Sequence, residues 1–78
     1  MLRVKFVEPK PNCQLLLHFT NDEYRVFDMQ PYLKYPVFSK LSNEHIFNLA
    51  RVEYGTVTWP GDIDIAPETL YNGSVSIS

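Results

Sequence analysis

Cysteine is nearly absent from the sequence, and so are the other devices that usually staple a small chain or equip it for a reaction. A single thiol, Cys13, cannot close an intrachain disulfide, and with two histidines, His18 and His45, no Cys/His spacing suits zinc. The three glycines, Gly55, Gly61 and Gly73, each stand alone, so no glycine-rich loop can wrap a phosphate. Positive charge is scarce as well. Seven Lys and Arg face nine Asp and Glu, for a net charge of −2, and the basic residues are scattered rather than gathered on a stripe, which disfavours direct nucleic-acid binding. No long hydrophobic run occurs. Met1 to Phe6 alternates apolar and basic residues, so it has neither the core of a signal peptide nor a membrane span, and a cytoplasmic protein with a reduced thiol is expected. Without linker, repeat or low-complexity tract, residues 1–78 read as one domain.

What the chain does have is apolar mass: 45% of its residues are hydrophobic and 14% aromatic, which argues against disorder. A 78-residue domain lies near the size at which one core leaves only a few kcal/mol of net stability. Packing must supply that margin, with a second subunit as the other available source.

The periodicities divide the chain into short elements. Leu2, Val4 and Phe6 alternate with Arg3 and Lys5 as in a half-buried strand, expected to end near Glu8 because Pro9 and Pro11 cannot donate to a ladder. Cys13–Phe19 and Tyr24–Met29 read as a hairpin. A two-residue turn at Asn21-Asp22 would pair Phe19 with Tyr24, Leu17 with Val26 and Leu15 with Asp28. One face then carries Leu15, Leu17, Phe19, Tyr24 and Val26. The opposite face carries Leu16, His18, Arg25 and Phe27, a mixed surface open to solvent or to a partner. Gln30 to Ser39 suits an irregular connection pinned by its aromatic side chains, with room for one helical turn after Pro31. Ser42 or Asn43 can cap a helix running to about Leu49, its apolar side supplied by Ile46, Phe47, Leu49 and Ala50.

Residues 51–54 and 56–59 alternate around Gly55 as a second hairpin. Ile63 and Ile65 continue the inward alternation while Asp62 and Asp64 point the other way. Pro67 opens a short helix carrying Leu70 and Tyr71, which Asn72-Gly73 ends. The tail, residues 74–78, alternates and can add an edge strand or fray. The fold class that follows is α+β: a small two-layer domain with an antiparallel sheet built from two hairpins plus the N-terminal strand, one main helix on one face, and a short C-terminal helical turn.

The most specific stretch runs from Trp59-Pro60-Gly61 through Asp64-Ile65-Ala66-Pro67-Glu68 to Leu70-Tyr71. Together with the hairpin closing on Phe27-Asp28, a Pro-Tyr-Leu connection, Phe38-x-x-Leu41, Phe47 and Val57, it resembles the short bacterial proteins catalogued as domain of unknown function 2442, over nearly the whole chain. The chain departs from that family's pattern at Asn21-Asp22, where members more often show an Asp-Gly type of turn. The resemblance implies a compact α+β domain, sometimes fused to a DNA-binding helix-turn-helix domain and often encoded beside another small protein, in an arrangement similar to toxin and antitoxin pairs. It implies no enzymatic activity. Phe27, Asp28, Trp59, Asp64, Pro67, Leu70 and Tyr71 fall on the family's signature positions, read as structural.

Candidate chemistry is thin when weighed against plainer readings. Asp28, Asp62 and Asp64, with Glu68, are the one acidic group that could converge on a divalent cation, yet no calcium-loop pattern surrounds them, and Glu68 is explained by the first turn of a helix. A Cys13–His45 nucleophilic pair would need two remote segments to meet, and no cation stands near Cys13 in sequence to activate the thiol. No catalytic residue, metal ligand or cofactor is therefore assigned. Aromatic surplus is more informative. Phe6, Phe19, Phe27, Phe38, Phe47 and Trp59 are enough for a core, with the five tyrosines lying over it; a sharper reading makes Tyr32 and Tyr35 a patch that binds a partner. The sequence thus suggests a non-enzymatic interaction module that binds a small partner protein or self-associates. An accessory subunit of a toxin–antitoxin-like pair is the second reading, and a small enzyme using Cys13 or the Asp28, Asp62 and Asp64 group is the third.

Overall fold

The structure, a computed structural model, describes residues 2–77. Among the described residues seven strands form two antiparallel sheets. Strands β1 (Val4–Lys10), β2 (Gln14–Phe19), β3 (Tyr24–Asp28) and β7 (Val75–Ser76) make a four-stranded sheet in the order β1-β2-β3-β7, and β4 (Arg51–Glu53), β5 (Thr56–Trp59) and β6 (Ile63–Ile65) make a three-stranded meander. The single sheet expected from two hairpins is thus two sheets. They are joined at one corner, where the Val4 amide donates to the Gly55 carbonyl (2.9 Å) and the Arg3 guanidinium donates to the Tyr54 carbonyl (3.1 Å). Tyr54 and Gly55 both have positive φ, as the two central residues of a tight primed hairpin turn require, and a Cβ at Gly55 would meet the Arg3 side chain.

The first hairpin differs from expectation by one residue. His18 pairs with Tyr24, Leu17 with Arg25, Leu16 with Val26 and Leu15 with Phe27. The turn holds three residues rather than two. The Asp22 amide donates back to the Phe19 carbonyl (2.9 Å) and Asp22 takes φ 67°, the left-handed position that closes three-residue loops. Because side chains alternate with period two, this slip exchanges the faces of β3. Phe27 is buried and Arg25 turns inward, whereas Tyr24 and Val26 join Leu16 and His18 on the outer face.

Strand β1 departs twice from its sequence reading. A bulge between Val4 and Phe6 inserts Lys5, so Val4 is buried while Phe6, expected in the core, points out and is 46% exposed. The strand also runs on through Pro9 to Lys10 instead of ending near Glu8. As an edge strand it tolerates a residue without an amide hydrogen.

The first helix is shorter than the sequence suggested. Two 3₁₀ segments, Gln30–Tyr32 and Pro36–Ser42, precede α1 (Glu44–Phe47), so among the described residues no long main helix packs on a sheet face. Asn43 is the cap, its side chain accepting the His45 amide (2.9 Å), but the helix stops before Leu49, which is exposed. Helix α2 (Pro67–Gly73) opens on Pro67 as expected. Gly73 is its last residue and needs no positive φ. Its role is steric: a Cβ there would lie 2.8 Å from the Phe27 ring. The tail does form an edge strand, β7, with Ser78 outside the described residues.

One buried cluster unites these parts. Leu15, Leu17, Phe19 and Phe27 from the larger sheet meet Val57, Trp59, Ile63 and Ile65 from the smaller, with Leu41, Phe47 and Leu70 closing the sides. Phe38 is only half-buried at its margin. No helix among the described residues is long and apolar enough to cross a membrane.

Candidate functional site

The larger sheet has one face in the core and one outside, and the outer face is the most distinctive surface of the molecule. Cross-strand pairing aligns its side chains. Phe6 lies opposite His18, which lies opposite Tyr24, while Leu16 lies opposite Val26, which lies opposite Val75. Ile77, whose amide donates to the Tyr24 carbonyl (2.9 Å), continues the row. Phe6, Val75 and Ile77 are 46%, 68% and 58% exposed. The His18 and Tyr24 rings stack at 4.1 Å with 2° between their planes, which flattens the middle of the face. An apolar row running across four strands is unusual for a solvated sheet face, which ordinarily alternates to polar residues.

Charged residues lie in and beside this row, with the His18 Nε2 3.6 Å from the Asp22 carboxylate. The Lys10 ammonium lies 2.8 Å from the Glu8 carboxylate and that of Lys5 lies 3.8 Å from Asp22. Asp28 sits at one end, where its carboxylate accepts the Gln30 amide (2.9 Å) and opens the first 3₁₀ segment.

Behind the sheet, the inward turn of Arg25 creates a polar cluster against α2. Its guanidinium donates to Glu23 (2.6 Å), to the Ser74 hydroxyl (2.6 Å) and to the Ser74 carbonyl (2.9 Å), and lies 4.2 Å from the centre of the Tyr71 ring. The Tyr71 hydroxyl donates to Glu23 (2.6 Å), so every member is engaged. The Tyr71 hydrogen bond, then the Arg25 one, hold the Glu23 carboxyl below its ordinary value, and the same Glu23 bond is the first cause of a raised Tyr71 phenol. The lowered Glu23 value adds stability above the ordinary 4.5 that is lost as pH falls through the folded value. The raised Tyr71 value adds stability below the ordinary 10.0 that is lost as pH rises through the folded value. Tyr71→Phe is therefore expected to lower Tm at neutral pH, and the gap from wild type should shrink in both acid and strong base. Thermal scans at about pH 3, 7 and 11 check this; a gap independent of pH would contradict it.

The residues singled out from sequence for chemistry are dispersed. Cys13 lies on an open cleft of about 640 Å³ between the β1–β2 turn and α1, together with Glu44 and Phe47, but neither histidine is on its wall. The thiol is pushed up, first by burial and then by Asp28 and Glu44, the reverse of activation. Asp62 and Asp64 line a separate shallow hollow of about 230 Å³ with Arg51, and Asp28 is not part of it. Asp64 pairs across strands with Thr58 and does not cap α2, whose N-cap Ala66 has no side-chain hydrogen bond. Among the described residues no three His, Cys, Asp or Glu groups come together in a way that could hold a metal ion.

Tyr32 is half-buried, its ring centred 5.2 Å from Phe27 and 6.3 Å from both Tyr35 and Phe38, and Tyr35 is 47% exposed. Of the signature positions, Phe27, Trp59 and Leu70 are in the core, Asp28 and Pro67 start helical segments, and Tyr71 locks α2 to the hairpin. Sequence reasoning missed Phe6, Tyr24, Val26 and Val75 as one surface. The available signal was Asp22, which suits a left-handed position as readily at the end of a three-residue loop as inside a two-residue one.

No curated protein and no solved structure matches the chain. The family described as Protein of unknown function (DUF2442) matches residues 4–76, from the first residue of β1 to the last of β7, taking in both sheets and the whole buried cluster. The chain belongs to this family of unknown function.

Proposed function

We propose that this protein is a non-enzymatic protein-interaction module whose contact surface is the outer face of the β1-β2-β3-β7 sheet. The observation that carries this reading is the apolar row from Phe6 through Tyr24 and Val26 to Val75 and Ile77, left outside the core by a strand register that the turn at Asp22 fixes. A solvated face would gain nothing from these side chains, whereas a covered one buries aromatic and aliphatic surface beside polar groups that are already satisfied. The interaction reading extends to a small partner protein, including one supplied as half of a toxin–antitoxin-like pair. Contact with nucleic acid would then fall to that partner, given a net charge of −2 here.

Size-exclusion chromatography of native cell extract tests the proposal. The wild-type chain of 9.1 kDa should elute in a larger assembly, and the double variant Phe6→Lys/Val75→Lys should elute at its own mass while keeping wild-type Tm. Equal elution of both proteins in a larger assembly would remove the outer face from the account.

A further inference from the structure

The charge on the outer face is unbalanced, and we infer that its occupant is a basic segment of a different protein, with apolar side chains that cover the row and a Lys or Arg that meets Asp28 at its end. The inference rests on the interaction reading above and adds the chemistry of the partner. Strand pairing places Lys10, Gln14 and Asp28 in one line across the face, next to the line of Glu8, Leu16, Val26 and Val75. Lys10 is held by Glu8 at 2.8 Å, and Lys5 stands 3.8 Å from Asp22. No Lys, Arg or His among the described residues pairs with Asp28. With His18 neutral, the carboxylates of Glu8, Asp22 and Asp28 outnumber the ammonium groups of Lys5 and Lys10, in a chain whose net charge is −2. A second copy would bring the same excess, whereas a basic segment brings the opposite one.

Asp28 is well placed to meet a cation. Along β3 the outward side chains are Tyr24, Val26 and Asp28 in steps of about 7 Å, so the apolar row runs directly into the uncompensated charge. A partner that follows this line carries two apolar side chains and then a cation at matching spacing. The Asp28 Oδ1 accepts the Gln30 amide (2.9 Å), which fixes the carboxylate on an exposed residue where a guanidinium or ammonium can reach it. The negative potential extends past the sheet. On the adjoining cleft, Asp28 and then Glu44 add to the burial that pushes the Cys13 thiol up.

NMR titration of the ¹⁵N-labelled full chain with two synthetic peptides tests the inference. Both alternate Thr with Phe or Leu; one ends in Lys-Lys and the other in Glu-Glu. At about 20 mM salt the lysine peptide should bind about 10-fold more tightly, with shifts at Phe6, Tyr24, Val26 and Val75, and the preference should narrow to about twofold at about 500 mM salt. Asp28→Asn keeps an acceptor for the Gln30 amide and should weaken the lysine peptide about threefold, whereas Lys10→Gln should tighten it by about the same factor. The control Asp62→Asn removes an equal charge from the β5–β6 turn, at a φ of 61° that Asn tolerates, and should bind as wild type.

Equal affinity for the two peptides, a preference for the glutamate peptide, or shifts confined to residues off the face overturns the inference. So does a lysine peptide that fails to bind at about 1 mM. If the inference fails in one of these ways while wild type and Asp28→Asn enter the same face-dependent assembly in cell extract, the partner is not selected by charge and the interaction reading survives. If wild type enters no such assembly either, both fall.

Discussion

Replacing Trp59 by alanine is expected to leave the chain unfolded at room temperature. The indole is 2% exposed at the centre of the cluster shared by the two sheets, with its ring centre 6.1 Å from that of Phe47. Its N–H donates to the Phe47 carbonyl over 3.0 Å in a buried bond, so β5 holds the end of α1 through this one side chain. Truncating a buried aromatic residue costs about 3–5 kcal/mol. A domain of this size with no disulfide draws about the same amount from its whole core, and the loss consumes it. Trp59→Phe separates the two contributions. It keeps most of the ring and deprives the carbonyl of its donor, for a cost of about 1–3 kcal/mol. Far-UV circular dichroism through a urea titration measures both. A cooperative transition for Trp59→Ala near the wild-type midpoint would contradict this account of the core.

The second large effect distinguishes two adjacent residues. Phe27→Ala is expected to cost about 3–5 kcal/mol, because the ring is fully buried against Tyr32 and the backbone of Gly73. Val26→Ala should cost about 1 kcal/mol or less, since Val26 sits half-covered on the outer face beside Leu16 and Val75. A two-residue turn at Asn21-Asp22 predicts the opposite order, with Val26 in the core and Phe27 outside. Denaturant midpoints for the two variants therefore report the register of the hairpin, and a larger loss at Val26 than at Phe27 would reject the register described above.

That contrast also shows where the sequence was legible. Elements whose local chemistry allows one answer were read correctly: the second hairpin from Gly55 and its β-branched flanks, β6 from Ile63 and Ile65, the start of α2 from Pro67; of the two caps the sequence offered, Ser42 and Asn43, the structure uses Asn43. The misreadings share a cause, a one-residue ambiguity that only packing resolves. Asp22 suits either turn length, and the choice decides whether Arg25 or Val26 faces inward. Lys5 fits strict alternation, and only pairing with β2 reveals the bulge that turns Phe6 outward. Pro9 looks like a terminator until β1 is known to be an edge. The long helix expected after Asn43 was overestimated because apolar spacing at Ile46, Phe47, Leu49 and Ala50 leaves helix length to tertiary contacts.

The candidate site was hidden for the same reason. In the sequence register Tyr24 and Val26 are core residues and Phe6 lines the inner side of β1, so three members of the outer row disappear into the interior. The other two, Val75 and Ile77, lie in a tail whose pairing depends on α2 turning the chain back along β3. The cluster of Glu23, Arg25, Tyr71 and Ser74 is equally invisible locally, since 49 positions separate Arg25 from Ser74. Tyr32 and Tyr35, which the sequence favoured, form a smaller patch in which Tyr32 is turned partly into the core.

The central claim is that the outer sheet face is covered when the protein works, and covalent footprinting tests it without knowledge of the partner. Hydroxyl-radical labelling of Phe6 and Tyr24 would be compared between dilute purified protein and native cell extract, each normalised to Tyr54, which is 90% exposed and outside the face. The account predicts that labelling of Phe6 and Tyr24 relative to Tyr54 falls severalfold in the extract. Equal relative labelling in the two conditions would show the face to be bare in its native setting and would contradict the account.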